Sequence, residues 1–346
     1  MRLALLPLFP LLMAWMAHAA SDSVMLVDFE NGIPKNKAGN PYVSQYEGES
    51  GKAAISLIKG GGFDGGACAQ FEVTQGGLYA QFNAHNADGS RGFAREYVRR
   101  PADWKFDTYN RLGFWIKNPV NGGEMSRDGN AGLQVGTYMK RVKGADTHSD
   151  EAGGGHWYHL INLPNTNTWI HVIINPHPHH FRGANGNFEE KNQPHPTGEA
   201  GYNYFDALTR FYVNVPYVKA GPAPIVYQLD DFGFYREPYP ENDDQIYGLA
   251  GTYVPAEGKF ILTWSRDKDQ NKIRHEVRYS DRNIHEIGWE AAKPAPAGLI
   301  NPAGDQGYNG MYYVMVLKKA AGPIYFAIKP QNSKLFSQIM IPVPQG

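Results

Sequence analysis

The 346-residue sequence has one cysteine, Cys68, so an internal disulfide is excluded. A lone thiol in the stretch ACAQFEV is typical of a small buried side chain rather than of a nucleophile. The sequence also lacks an excess of positive charge, since it has 33 Lys and Arg residues and 34 Asp and Glu residues. Nucleic-acid-binding proteins need a basic face for the phosphates, so we expect no nucleic-acid partner.

Long apolar runs are absent after the N-terminus, and we therefore expect no membrane span. Residues 1–20 combine Arg2, a short apolar core with two prolines, and an Ala-x-Ala pattern ending at Ala19. This pattern predicts a secretory signal peptide cleaved after Ala19 or Ala20, and hence a secreted product, periplasmic or extracellular. A membrane-anchoring helix is the alternative, but no stop-transfer charges follow it.

Several catalytic fingerprints are missing as well. The sequence has no Ser-based elbow, no phosphate-binding loop and no dinucleotide fingerprint. The stretches GGGHW and GGGFDGG are interpreted as turns, because no helix follows them to bind a phosphate.

Helix-forming runs of Ala, Leu, Glu and Lys are scarce, whereas glycine, proline and tyrosine are abundant. Short segments with period-2 alternation, bounded by Gly, Pro, Asn or Asp, predict strands throughout. The fold class is therefore predicted to be all-β, as a sandwich or barrel. A polar, proline-bearing break at residues 236–245 predicts two domains, at residues 21–237 and 243–346.

The stretch VYQLDDFGFY places Asp230 and Asp231 inside an apolar strand. A buried carboxylate needs a partner or a metal, so the pair calls for an explanation. Adjacent strand residues face opposite ways, and both side chains can act on one ion only if a β-bulge intervenes. The alternative is that one Asp faces solvent while the other accepts backbone N–H bonds at a bulge.

The C-terminal domain resembles a fibronectin type III domain, an immunoglobulin-like β-sandwich. The resemblance rests on LTWSRDKDQNKIRHEVRYS and IYFAIKPQN, in which Trp264 and Tyr325 would be core or corner residues. It implies a spacer or adhesion module, with a possible protein partner.

The N-terminal domain resembles a galactose-binding-like, jelly-roll carbohydrate-binding module. The matching segments are VDFENG, RLGFWIK, NTWIHVIIN and IVYQLDDFGFY, in this order. The resemblance implies that the first and last strands are neighbours and that a structural Ca²⁺ lies beside them. It gives Glu30 and Asp231 as the main ligands, with Asp28 and Asp230 as further candidates.

Strand alternation also predicts a face that points away from the core. Aromatic rings stack on the apolar faces of sugars, and amide and imidazole groups bind their hydroxyls. The sequence thus suggests a carbohydrate platform; the alternative is that the long insertions cover this face and make its aromatics a second small core. The candidate carbohydrate-binding residues are Trp115, Gln134, Tyr138, His171, Tyr212 and Asn214.

Three functions are compatible with these features. The first is a secreted, non-catalytic protein that binds a polysaccharide or surface glycan. The second is a polysaccharide lyase or other glycan-active enzyme, in which Tyr138, His171, Arg141 and Gln134 would act on a uronate. The third is a structural or adhesive protein of the cell surface or matrix.

Histidines are concentrated between residues 148 and 195, most densely at His171, His177, His179 and His180. Imidazoles at this density could bind Zn²⁺ or Cu²⁺, yet no HExxH or cysteine partner specifies a site. Metal binding by this segment therefore stays open.

Overall fold

The structure is a computed structural model. It describes residues 23–33, 44–45, 52–75, 80–81, 111–118, 126–127, 130–131, 133–139, 156–161, 163, 166–174, 182–183, 208–214, 225–235, 246–266, 274–296, 301–303, 310–316, 322–331 and 333–343. The predicted signal peptide, Arg141 and the histidines at positions 177, 179, 180 and 195 lie outside these residues.

The region before residue 236 forms strands, which the alternation of apolar residues predicted. They are β1 (Ser23–Val27), β2 (Ser44–Gln45), β3 (Lys52–Lys59), β4 (Ala67–Gln75), β5 (Ala80–Gln81), β6 (Arg111–Lys117), β7 (Ser126–Arg127), β8 (Asn130–Ala131), β9 (Leu133–Met139), β10 (His156–Ile161), β11 (Ile170–Ile174), β12 (Arg182–Gly183), β13 (Leu208–Asn214) and β14 (Ile225–Tyr235).

In the region after residue 245, the described residues form further strands and three single turns of helix. The strands are β15 (Ile246–Val254), β16 (Lys259–Arg266), β17 (His275–Ser280), β18 (Lys293–Pro294), β19 (Asn301–Ala303), β20 (Gly310–Val316), β21 (Ile324–Pro330) and β22 (Ser337–Ile341). The helical turns are Pro255–Glu257, Ile284–Ile287 and Trp289–Ala291. Among the described residues, no helix is long and apolar enough to cross a membrane.

The described strands pair in antiparallel sheets, so the fold is all-β, as predicted. A ten-stranded sheet has the order β19-β20-β16-β15-β11-β6-β14-β4-β3, with β1 paired to β14. A six-stranded sheet has the order β12-β10-β9-β13-β5-β2, and a four-stranded sheet the order β18-β17-β21-β22. Strands β7 and β8 form a separate pair.

The predicted neighbourhood of the first and last N-terminal strands is confirmed. Strand β1 pairs with β14, with Val27 opposite Phe232. The end of the first strand is thereby brought beside the Asp230–Asp231 pair, which is the geometry that the metal hypothesis required.

The ten-stranded sheet crosses the predicted domain boundary. Strand β11 pairs with β15 from His171 opposite Gly251 to Ile174 opposite Gly248. Backbone hydrogen bonds therefore join the two predicted domains into one sheet. The division into residues 21–237 and 243–346 stays a prediction about the two cores.

Apolar side chains pack in at least two places among the described residues, one on each side of the predicted boundary. In the first, Phe71 stacks on Tyr227 with ring centroids 4.9 Å apart, and Phe114 stacks on Phe232 at 4.7 Å. The second core fills the space between β15, β16 and β20 on one side and β17, β21 and β22 on the other. It consists of Ile246, Leu249, Phe260, Leu262, Trp264, Val277, Met315, Ile324, Phe326, Ile328, Ile339 and Ile341.

Candidate functional site

The Asp230–Asp231 pair lies at a β-bulge in β14. The register of β14 against β6 shifts between Asp230, which pairs with Trp115, and Gly233, which pairs with Gly113. Asp231 has a φ of 47°, a left-handed conformation that is uncommon for a residue with a side chain. A bulge, which both interpretations of the Asp pair include, is therefore present.

Five carboxylates surround this bulge, and we call them the acidic corner. They belong to three separate segments: the turn after β1, the loop between β3 and β4 (residues 60–66), and β14. They are Asp28, Glu30, Asp64, Asp230 and Asp231.

Backbone N–H groups hold the carboxylates of the acidic corner in place. Asp230 accepts from Phe63 N through Oδ2 at 2.8 Å and from Asp231 N through Oδ1 at 2.9 Å. Glu30 Oε1 accepts from Ala67 N at 2.6 Å. These contacts fasten the 60–66 loop to β14 and to the end of β1.

Two glycines of the loop permit this close approach. A Cβ atom on Gly62 would lie 2.7 Å from Asp230 Oδ2, and one on Gly66 would collide with Glu30 Oε1. The loop sequence GGGFDGG therefore has a packing reason beyond turn formation, because any larger residue would push the carboxylates away.

When no cation is bound, burial and mutual repulsion make the ionised forms of these carboxylates unfavourable. Burial raises the pKa of Asp230 to about 7, with a further contribution from the Asp231 charge. Burial also raises the pKa of Asp231 to about 7, and the charges of Asp64, Asp28 and Glu30 add to this rise. A bound cation would favour the ionised carboxylates and remove this cost.

The types of ligand at the acidic corner favour Ca²⁺ binding, whereas the positions of their side chains do not form a metal site. Carboxylate oxygens from three segments are the hard ligands that Ca²⁺ prefers. Nevertheless, no three His, Cys, Asp or Glu side chains among the described residues are grouped as metal ligands. Binding of Ca²⁺ would therefore require these side chains to move closer together.

Next to the acidic corner lies a buried row that we call the sealed row, formed by Asp230, Trp115 and His171 on β14, β6 and β11. Asp230 is opposite Trp115, and Trp115 is opposite His171. The three residues are only 2%, 3% and 6% exposed. The sealed row thus lies on the face of the sheet opposite to the Phe114 core, yet it is closed to solvent.

Phe63 and β22 close this row. The Phe63 ring stacks on Trp115 at 3.5 Å and 5°, and His171 stacks on Trp115 at 4.4 Å and 13°. Two rings cannot share one face of the indole at these distances, so Trp115 is sandwiched between them. His171 Nδ1 lies 3.0 Å from Met340 O of β22, which joins the stack to the C-terminal region.

Trp115 and His171 therefore differ from the exposed positions that alternation predicted for them. The alternation correctly gives their face of the sheet, but the 60–66 loop and β22 cover that face. For these two residues the structure corresponds to the alternative in which the aromatics form a second small core.

The other four candidate residues lie in the six-stranded sheet. In the pairing of β9 with β13, Gln134 is opposite Asn214, and Tyr212 is opposite Gly136. Tyr138 is two residues from Gly136, so all four positions share one face of this pair. The predicted platform is thus divided between two sheets, with Gln134, Tyr138, Tyr212 and Asn214 together and Trp115 and His171 apart.

Of the candidate lyase residues, His171 is buried within the sealed row. His171 and Tyr138 lie in different sheets, and burial lowers the pKa of His171 to about 4 although the Met340 carbonyl opposes this. Cys68 is fully buried, and burial raises the pKa of its thiol to about 11. It stays protonated near neutral pH, in agreement with its interpretation as a small buried side chain.

Sequence reasoning missed three contributors to this site: Phe63, Asp64 and Met340. The first two could have been noticed, because an aromatic and an acidic residue stand within a glycine-rich loop. Met340 acts through its carbonyl oxygen, so no residue type could have identified it.

Comparisons with known proteins identify no family. No family model and no curated protein matches the sequence. Among solved structures, the chain matches the glycoside hydrolase domain of Endo-D from Streptococcus pneumoniae with a TM-score of 0.23 and 8% identity. The match covers 85% of this chain and 36% of that chain, and at this TM-score no function follows from it.

Proposed function

We propose that this chain is an exported, non-catalytic protein that binds a polysaccharide or surface glycan. The observation that carries the proposal is the register of β9 and β13. It aligns two amides, Gln134 and Asn214, and places the positions of Tyr138 and Tyr212 on the same face of the sheet. Planar amides beside aromatic rings are the groups that sugar hydroxyls and sugar C–H faces require.

A jelly-roll module in the N-terminal region would present this face. The pairing of β1 with β14 and the two sheets of this region support that assignment. The signal peptide predicted at residues 1–20 supports export to the periplasm or the extracellular space.

The C-terminal region is proposed to be a fibronectin type III-like spacer or docking module. Its strands form two sheets, β19-β20-β16-β15 and β18-β17-β21-β22, packed on a common core. Trp264 is 1% exposed within that core, as expected for a packing residue. Family members of this type act as spacers, so no chemistry is assigned here.

A structural Ca²⁺ at the acidic corner is part of the proposal. The ion would bind Glu30 and Asp231, with Asp28 and Asp230 beside them. Support comes from the carboxylates of three segments that meet here, and from the raised pKa values of Asp230 and Asp231, which arise first from burial and then from neighbouring carboxylate charges. The ion would fix the turn after β1 against β14 and the 60–66 loop.

The glycan proposal is tested with a glycan array and an absorbance assay for unsaturated products on acidic polysaccharides. Binding without turnover, weakened in Tyr138→Ala and Tyr212→Ala but kept in Lys293→Ala, is the expected result. Lys293 is an exposed residue of β18, in the four-stranded sheet rather than in the sheet of β9 and β13. Turnover, or binding that neither tyrosine variant changes, would contradict the proposal.

A further inference from the structure

A row of polar residues crosses the ten-stranded sheet two positions away from the sealed row. Ser56 of β3 is opposite Gln70 of β4, Gln70 is opposite Gln228 of β14, and Gln228 is opposite Lys117 of β6. Trp169 directly precedes β11, the next strand. We call these five residues the open row.

The open row reaches solvent where the sealed row does not. Ser56 is exposed, and Gln70, Lys117 and Trp169 are half-buried, while Gln228 is 8% exposed. The five residues face the same side of the sheet as Trp115, but the 60–66 loop is anchored over Asp230 and Trp115 instead.

The side chains of the open row are partly ordered by contacts among themselves. Gln228 Nε2 donates to Gln70 Oε1 at 3.0 Å, which fixes the two amides relative to each other. The Lys117 ammonium lies 6.0 Å from the centroid of the Trp169 ring. One hydrogen bond uses only part of the capacity of two primary amides, which together have four N–H groups and two carbonyl oxygens.

The spacing of the open row suits an extended chain of sugars. Neighbouring strands lie about 4.8 Å apart, so the four positions from Ser56 to Lys117 span roughly 14 Å. One sugar unit of an extended polysaccharide has a similar length to one strand spacing. A chain lying across the strands would therefore meet a hydroxyl, two amides and an ammonium in successive units, with the Trp169 indole at the end.

The charge of the open row favours acidic sugars over neutral ones. It contains one cation, Lys117, and no carboxylate. A sugar carboxylate near Lys117 would form a charge-assisted hydrogen bond, which is stronger than a bond between neutral groups. A neutral sugar would gain only the stacking on Trp169 and the amide contacts.

We propose that the open row binds a uronate-containing polysaccharide laid across the strands, with one sugar carboxylate on Lys117 and a sugar ring on Trp169. The inference rests on the proposed glycan-binding function, and it adds a second surface in a different sheet from the face of β9 and β13.

Calorimetric titration of the full mature chain with a galacturonate tetrasaccharide and a neutral cellotetraose tests the inference. Lys117→Met is expected to weaken binding of the acidic sugar by about tenfold or more, since a charged hydrogen bond is lost. It should leave the neutral sugar unchanged, whereas Trp169→Ala should weaken both. The matched control is Lys59→Met, an exposed lysine of β3 on the opposite face of the same sheet.

The outcomes separate this inference from the proposed function. If the wild-type chain binds the acidic sugar and both Lys117→Met and Trp169→Ala bind it equally well, the open row is not the site. Loss of binding in Tyr138→Ala alone would then leave the proposed function standing. A wild-type chain that binds neither sugar overturns this inference, while the glycan array still decides the proposed function, and a preference for the neutral sugar overturns the role of Lys117. Melting curves of each variant verify folding.

Discussion

The sealed row and the open row lie two residues apart on the same strands and the same face of one sheet, but their surroundings are opposite. Trp115 in the sealed row has one aromatic ring on each side and is 3% exposed. Trp169, beside the open row, is half-buried and has a lysine ammonium near it. Two tryptophans that alternation treats alike therefore have different roles, one in packing and one at the surface.

The difference arises from what covers the sheet. The 60–66 loop is tied to Asp230 and Glu30, so Phe63 is held over Trp115. On the other side, Met340 O of β22 contacts His171. Both covering elements are distant from the strands in sequence, and neither reaches Lys117 or Gln228 in the described contacts.

The largest expected difference between the rows concerns stability. Trp115→Ala should lower the free energy of unfolding by about 3–5 kcal/mol, because it leaves a cavity between Phe63 and His171. Trp169→Ala should cost less, about 1 kcal/mol, since part of its ring already contacts water. Urea unfolding of both variants measures this, and equal losses would contradict the comparison.

Calcium is expected to raise the stability through the acidic corner, and residues of the open row should not affect this response. At a concentration one hundred times Kd, an ion that binds only the folded state adds about 2.7 kcal/mol to the free energy of unfolding. The melting temperature should rise with Ca²⁺ and fall with EDTA, and Asp231→Asn should abolish this response. Lys117→Met, in the open row, should keep it. A melting curve that EDTA leaves unchanged would rule out the ion.

A smaller effect is expected from pH when a chelator is present. The pKa values of Asp230 and Asp231 are raised from 3.8 to about 7. The folded state therefore binds their protons more tightly than the unfolded state. The stability that they contribute is complete below pH 3.8 and is lost as the pH rises through about 7.

Asp231→Asn removes one of these titrations and should flatten the fall in stability between the unfolded pKa of 3.8 and the folded pKa of about 7. Unfolding free energies at several pH values in EDTA measure the slope. A wild-type slope no steeper than that of the variant would show that the acidic corner does not carry this charge cost.

The titration of His171 should give the smallest change in stability with pH, and this change should have the opposite sign to that of the two aspartates. Burial lowers its pKa from 6.5 to about 4, so its stabilising contribution is complete above pH 6.5 and is lost as the pH falls through about 4. His171→Gln removes this titration and should be less sensitive to acid than the wild type, once the two curves are compared at equal ionic strength. An unchanged acid limb would contradict the burial of this ring.

Much of the fold could be predicted because strand formation depends on local patterns. The alternation in RLGFWIK and TWIHVIIN gives the correct core face, with Phe114 and Val172 fully buried. The Asp230–Asp231 pair within an apolar strand correctly indicated a bulge, since two adjacent strand residues can otherwise not share a side.

Strand β15 was not predicted, although it joins the two halves of the large sheet. Its sequence, IYGLAGTYV, contains Gly248, Ala250 and Gly251, which have a low preference for strands. Gly251 is needed because a Cβ atom there would lie 2.5 Å from Ile341 Cδ1. The local preference is thus overruled by the packing of β22 on this strand.

The sequence by itself determined most of the strands and which face of these strands meets the core. These properties follow from side-chain alternation, which acts over a few residues, whereas the neighbourhood of β1 and β14 was implied by the resemblance to a jelly-roll module. Only the tertiary structure decided which outward residues stay in contact with water. That choice depends on the 60–66 loop and on β22, segments far away in the chain whose contacts arise when the sheets pack together.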